Sequence, residues 1–574
     1  VYYGDERGLE GFRDPYNRAT FPWDGGDLDC TTIYRNAIAV RKTLPVLLNG
    51  SFEPFAAGED VFGFWRKEDG ECVCVLVNGS LEHARTVKVP MVKSRVDDVI
   101  SGRAPKVEHG QADVFLWPLG SAVLYFHETP LLEKSLERGM GVLAHITSLP
   151  NGMRPGTLGE PARRFVDWLA ECGQTYWQVL PVNPTDEYGS PYAGLSAFAG
   201  NVSLLGDDPE TVLARSVSLG DESGYVCFCR DNAEWLTPYA LFQSIKDLYD
   251  GAPWQSWPEK YRTYSVTLAK DPKVAPGFEK HRRLQFEFDR EWRELRAYAN
   301  ERGIRIIGDM PMYVSVDSSD VWAERDIFDL DAKGHARRQA GAPADQFSPE
   351  GQLWGNPTYR WDILRKQGYD WWLRRLERAF DIYDYVRLDH FIGFSSYYSI
   401  EAGKSARDGR YSFGPAGDLF KAAYDKFGPL PLIAEDLGVV TPAVRALISL
   451  TGVPGMDVVQ FFDGDPSEKY EPKPGTIVYT GTHDNQTLVG WCTSRYNPDD
   501  PEALADEIAA RTLGTKNDVA IMPLQDVLRL DDTARMNVPG VAKGNWTWQA
   551  NADDVRDATE HLIGLALDSS RFRS

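Results

Sequence analysis

Residues 384–394 read DYVRLDHFIGF. A short apolar run with Arg387 and Asp389 two residues apart fits a buried strand that carries both side chains on one face. Seven further runs have the same character: GVLAHITSL (141–149), YWQVLPV (176–182), IRIIGDMPMYV (304–314), LPLIAEDLG (430–438), MDVVQFF (456–462), TIVYTGTHD (476–484) and VAIMPLQDV (519–527). Eight strands is the number that a closed parallel barrel needs. Helices fall between them. In EPARRFVDWLAECG, Pro161 opens a helix, Phe165, Trp168 and Leu169 share a face, and Gly173 ends it. Phe288, Trp292, Leu295 and Ala299 repeat at helical spacing before Gly303. The gap between the second and third strands exceeds one helix, so an inserted subdomain is expected at about 201–280.

Outward from this region the character changes. Residues 51–136 hold short alternating runs (VFGFW, ECVCVLV, ARTVKVP, DVFLWPLGSAVLYF) separated by turn signals. They predict an antiparallel sandwich of about six to eight strands. TTIYRNAIAVRKT before it reads as a helix with Ile33, Ala37 and Val40 on one stripe. The expected class is therefore α/β, a (β/α)8 TIM barrel with inserted subdomains, preceded by an all-β antiparallel sandwich.

The 574 residues are 43% hydrophobic and 25% charged, an ordinary globular composition long enough for about two to four domains. No run of about 18 apolar residues occurs, so no membrane span is expected. A net charge of −22 excludes electrostatic wrapping of nucleic acid or docking on an anionic membrane. Seven scattered cysteines fit free thiols in a reducing compartment. Cys72/Cys74 and Cys227/Cys229 would each place two thiols on one strand face, and we read them as buried thiols rather than a metal site. The 17 Trp and 26 Tyr suit sugar stacking, with core packing the default.

Asp389, Glu435 and Asp484 are 46 and 49 residues apart, about two strand–helix units each, so all three meet at one rim of the barrel. Arg387 beside Asp389 favours an ionised carboxylate, and a barrel-mouth ion pair is the structural alternative. Three converging carboxyls suit acetal chemistry: one attacks the anomeric carbon, one shuttles a proton, one steadies the cationic sugar. A Mg²⁺ site of the enolase kind uses three carboxylates too, but it wants a Lys or His base, and no strand end offers a Lys.

Long ordered segments carry a family resemblance: SLPNGMRPGTLGE, VLPVNPTDEYGSPYAGLSAFAGN, GDMPMYVSVDSSDVW, GAPADQFSPEGQLWGNPTYRWD, VRLDHFIGF, IAEDLG, GTHDNQT and MNVPGVAKGNWTW. Residues 137–574 resemble the 4-α-glucanotransferases (amylomaltases, glycoside hydrolase family 77). The resemblance implies Asp389 as nucleophile, Glu435 as general acid/base and Asp484 as transition-state stabiliser. It also implies sugar contacts from Arg387, His483, Tyr192, Asp309, Gln352 and Trp354, the last two in a lid loop at about 338–362. It calls for no metal or organic cofactor. Donors would be α-1,4-glucans and maltooligosaccharides, acceptors glucose or maltooligosaccharides, with net retention and a separation of about 5–5.5 Å between Asp389 and Glu435. A hydrolase of the same clan and a non-catalytic glucan binder are the competing expectations. The sequence says nothing of oligomeric state, and the expected location is cytoplasmic.

Several residues have plainer readings. His390 is expected to pack on the opposite strand face, Asp436 to cap the following turn, and Trp254 and Trp257 to sit in the subdomain core. Asp463 either contacts sugar or ends a strand. Gln346 stands where some relatives have a lid aromatic, which weakens the expectation of stacking there. VYYGDERGLEGFRDPYNRATFPWD resembles the end of the last barrel strand of a neopullulanase-like enzyme, so residues 1–50 read as a barrel remnant and 51–136 as its C-terminal sandwich. Because the chain opens on Val1, we expect it to be cut from a longer hydrolase–transferase fusion.

Overall fold

The structure, a computed structural model, describes residues 2–573 apart from 12, 16–17, 69, 129–135, 220, 345–347, 466–467 and 542. Its centre is eight parallel strands: β1 (Gly139–Leu143), β2 (Tyr176–Gln178), β3 (Arg305–Met310), β4 (Tyr385–Leu388), β5 (Leu432–Ala434), β6 (Met456–Val458), β7 (Ile477–Tyr479) and β8 (Val519–Pro523). They are hydrogen-bonded in the order β5–β4–β3–β2–β1–β8–β7–β6. Residues such as Tyr176, Ile307, Ile433 and Tyr479 fill the interior, while Val142, Trp177, Ile306 and Val386 face the helices. Burial on both sides is why these strands read as unbroken apolar runs.

The ring closes between β5 and β6 through a different device. Pro454 O accepts from Ala434 N at 2.8 Å, and the buried Asp436 carboxylate accepts from Met456 N at 2.8 Å. Asp436 thus clamps the seam instead of capping the turn after its strand. Burial pushes its carboxyl above the usual range.

The helices bury the faces expected of them. In Glu160–Glu171 these are Phe165, Trp168 and Leu169; in Ala275–Glu301 they include Phe288, Trp292, Leu295 and Ala299. Gly173 (φ 65°) and Gly303 (φ 78°) then take the left-handed turn that ends each helix. The insertion between β2 and β3 is helical, with Trp254 and Trp257 buried in it. Cys227 and Cys229 lie on the helix Glu222–Asp231, not on a strand, so one is exposed and the other buried. Among the described residues no helix is long and apolar enough to cross a membrane, and no group of three His, Cys, Asp or Glu side chains is placed to hold a metal.

The segment expected as a lid loop is a hairpin. Arg338–Ala342 and Gln352–Pro357 pair antiparallel and extend through Ser396–Glu401 to Arg410–Phe413, a four-stranded sheet beside the barrel mouth. In front of the barrel, residues 53–127 form five-stranded and three-stranded antiparallel sheets around a core that includes Trp65, Leu76, Val89, Leu124 and Phe126. The helix Leu28–Thr43 buries Ala39, Val40 and Thr43, while Ile33 and Ala37 are exposed, so the expected stripe is rotated. Its partner is the barrel helix Pro442–Thr451, through Ala443, Ala446 and Leu450. Arg445 of that helix donates to the carbonyls of Val99 (2.9 Å) and Ile100 in the sandwich.

The seam clamp is open to test. Asp436→Ala leaves Met456 N buried without its acceptor, and equilibrium urea unfolding should register a loss of about 1–3 kcal/mol. An unchanged unfolding midpoint would mean that the β5–β6 seam is held by something else.

Candidate active site

Asp309 and Arg387 are in-register neighbours on β3 and β4. Both are buried, and Arg387 Nη1 lies 2.8 Å from each Asp309 carboxylate oxygen and 3.1 Å from Asp389 Oδ1. Burial raises the Asp309 carboxyl above its ordinary range, and the guanidinium opposes that rise.

β4 ends at Leu388, so strand alternation no longer governs Asp389 and His390. Asp389 N still donates to Met310 O at 3.0 Å. His390 then adopts φ 49° and turns the chain, which aims its N–H at Glu435 Oε2, 2.7 Å away. Leu437 N donates to the other Glu435 oxygen at 3.2 Å. Even so, burial is the largest influence on Glu435 and pushes its carboxyl up to about 8; Arg387 works against this and the Asp389 charge adds to it. The His390 ring packs T-shaped on Trp354, 5.1 Å between centroids. Trp354 Nε1 in turn donates to Gln352 Oε1 at 2.9 Å, so the hairpin strand presents these two as one unit over the β4 turn.

The opposite wall comes from β7 and two loops. Tyr192 donates from its hydroxyl to Asp309 Oδ2 at 2.7 Å and stacks on the His483 ring at 4.9 Å and 16°. His483 is buried, with Nε2 3.4 Å from Asp484 Oδ1. The half-exposed Asp484 carboxylate accepts from Asn537 Nδ2 at 2.6 Å, and Arg535 donates to the Asp484 carbonyl at 3.0 Å. The structure thus gathers Asp309, Arg387, Asp389, Glu435, Tyr192, His483 and Asp484 at the ends of β3, β4, β5 and β7.

Two expectations fall elsewhere. Asp463 is fully exposed, with Arg495 at 4.0 Å as its ion-pair partner among the described residues. Gln346 lies outside the described residues. Residue-level reading of the sequence missed Asn537, Trp546 and His145. Asn537 and Trp546 both sit in the segment MNVPGVAKGNWTW, and the Trp546 ring lies 5.7 Å from Tyr192. His145, just past β1, is buried beside His483; burial lowers its imidazole to about 3, so it is neutral at working pH.

Comparison with known proteins bears on this cluster. A family model described as 4-alpha-glucanotransferase matches residues 144–218 and 210–554. The chain is 37% identical over 481 residues to a 4-alpha-glucanotransferase of Streptococcus pneumoniae serotype 4, covering 74% of this chain and 95% of that protein. It is 39% identical over 474 residues to one from Thermus thermophilus, covering 72% and 95%. Among solved structures, the amylomaltase from Streptococcus agalactiae in complex with acarbose superposes with a TM-score of 0.70 at 32% identity, over 76% of this chain and all of that one. The Corynebacterium glutamicum amylomaltase, 15% identical with a TM-score of 0.62 over 99% and 95%, shares the fold.

The buried ion pair makes a stability prediction. Arg387→Met strands the Asp309 charge and should cost about 3–5 kcal/mol in equilibrium unfolding. Adding Asp309→Asn should recover part of that loss; strictly additive effects would show that the two side chains are not coupled.

Proposed function

The chain belongs to the 4-alpha-glucanotransferase family, glycoside hydrolase family 77, and from that premise we propose that it moves α-1,4-glucan segments between maltooligosaccharides through a covalent intermediate on Asp389. Glu435 and Asp389 together carry this reading. One is a carboxyl that burial pushes up to about 8, so it holds its proton at neutral pH. The other is a carboxylate 3.1 Å from a guanidinium. A carboxyl that holds its proton, set near one that faces a guanidinium, suits the first as acid and the second as nucleophile.

In the first step Asp389 attacks the anomeric carbon of the donor, the glycosidic C–O bond breaks, and Glu435 gives its proton to the departing oxygen. Glu435, now a carboxylate, next takes the proton of an acceptor 4-hydroxyl, whose oxygen displaces Asp389. Two inversions leave the α configuration unchanged. Asp484, held by Asn537, is suited to grip donor hydroxyls as charge develops on the ring. Tyr192 and His483 form a stacked wall for the same sugar. Gln352 and Trp354 lie on the strand that would cover the acceptor side and restrict water. Neither step calls for a metal or an organic cofactor. Donors are α-1,4-glucans and maltooligosaccharides, and acceptors are glucose or maltooligosaccharides. The seven free cysteines fit a reducing compartment, and we place the enzyme in the cytoplasm.

Maltotriose is the deciding substrate. Transfer produces glucose and a ladder of longer oligomers, whereas steady growth in reducing ends would mark a hydrolase. Asp389→Ala should abolish the ladder with the fold intact by circular dichroism, and surviving transfer would refute the nucleophile. Since Glu435 must be protonated for the first step, kcat/KM should fall as pH rises through about 8. An alkaline limb that persists unshifted in Glu435→Gln would assign it to another group.

A further inference from the structure

The front module lies outside the family match, yet one of its helices touches the sheet that carries Trp354. One register row crosses that sheet: Leu353 opposes Gly341, Gly341 opposes Tyr398, and Tyr398 opposes Tyr411. Leu353 adjoins Trp354, whose ring contacts His390 next to Asp389. At the far edge, Lys42 Nζ sits 4.0 Å from the centroid of the Phe413 ring. The other side of the helix is anchored on the barrel through Val40 and Ala443.

The far edge of the sheet needs such support. Its inner strands are held by Ala340 and Tyr397 in the barrel core and by Tyr398 and Ile400 in a small cluster of their own, whereas the edge strand Arg410–Phe413 buries none of its residues. The position of each edge therefore depends on what it rests against. One edge meets His390 through Trp354; the other meets the helix Leu28–Thr43.

We propose that the helix Leu28–Thr43 is a positioning element for transfer, with Lys42 gripping the edge strand Arg410–Phe413 through the Phe413 ring so that Trp354 stays closed over Asp389 and Glu435. The inference rests on the proposed function, in which the Trp354 strand shields a covalent glucosyl–Asp389 ester. Loosening the far edge admits water, whose oxygen then takes the place of the acceptor hydroxyl in the second displacement. The front module thereby sets how the intermediate divides between sugar and water.

The test uses the full chain with maltotriose, reading free reducing ends against oligomer ladder. In Lys42→Ala the ratio of hydrolysis to transfer should rise about two- to fivefold, the scale of an exposed cation–π contact, with the melting temperature unchanged. Lys42→Arg should restore the wild-type ratio. In a Trp354→Ala background Lys42→Ala should add nothing, because the lid contact it acts through is gone. A wild-type ratio in Lys42→Ala, or an equal rise in the Trp354→Ala background, overturns the inference and leaves the proposed function standing. A wild-type chain that makes no ladder overturns both.

Discussion

Asp309 carries a carboxylate with no exposed side-chain surface, and Arg387 meets it with 5% of its own side chain exposed. Removing two such charges from water costs several kcal/mol per ion unless geometry and hydrogen bonds repay it. Here the repayment is structural: neighbouring parallel strands hold the pair in register, and the Tyr192 hydroxyl takes the remaining direction on Asp309. The guanidinium is then shared with Asp389. Burial keeps Glu435 protonated, with the Arg387 charge working against it and the Asp389 charge adding to it.

Much of this was legible because a parallel strand under helices has to be apolar on both faces. Seven of the eight barrel strands fall inside the runs read from sequence, β1 starts two residues before its run, and the acidic residues at the strand ends lie at one mouth of the barrel. What stayed hidden depends on distant partners. The hairpin Arg338–Ala342/Gln352–Pro357 looks like a loop in isolation, with its Gly and Pro residues, and is a sheet because strands at 396–413 pair with it. The helix Leu28–Thr43 has apolar residues on several faces, and a barrel helix some 400 residues away selects Ala39 and Val40 over Ile33. His390 packs as expected, against Trp354, but not from a strand face: the strand stops at Leu388, and a left-handed turn at a non-glycine residue leaves no mark in the sequence. Asp436 looked like a cap because the sequence does not reveal that the barrel ladder is interrupted between β5 and β6.

The two walls of the site are held differently. Asp309, Arg387 and Glu435 are fixed by strand register and backbone donors, which leaves little to reorganise during reaction. Asp484 stands half-exposed, tied by the Asn537 amide and by His483. A sugar arriving there would displace water from that carboxylate and strengthen its hold on the ring in the lower dielectric. The rigid wall suits bond breaking and the hydrated wall suits recognition, since the second can be completed by the substrate itself.

Nothing in the carboxylates distinguishes an acceptor sugar from water. In the proposed reaction Glu435 would activate either, and the ester on Asp389 would yield to either. The distinction has to come from access, and access is controlled by the least rigid part of the mouth. The barrel strands are locked by their neighbours and by a core of large buried side chains, whereas the edge strand Arg410–Phe413 of the Trp354 sheet buries none of its residues. A partition between transfer and hydrolysis is therefore most sensitive to the supports of that sheet. That places the determinant of reaction outcome at its edges, where the barrel turn at His390 and the helix of the front module make their contacts.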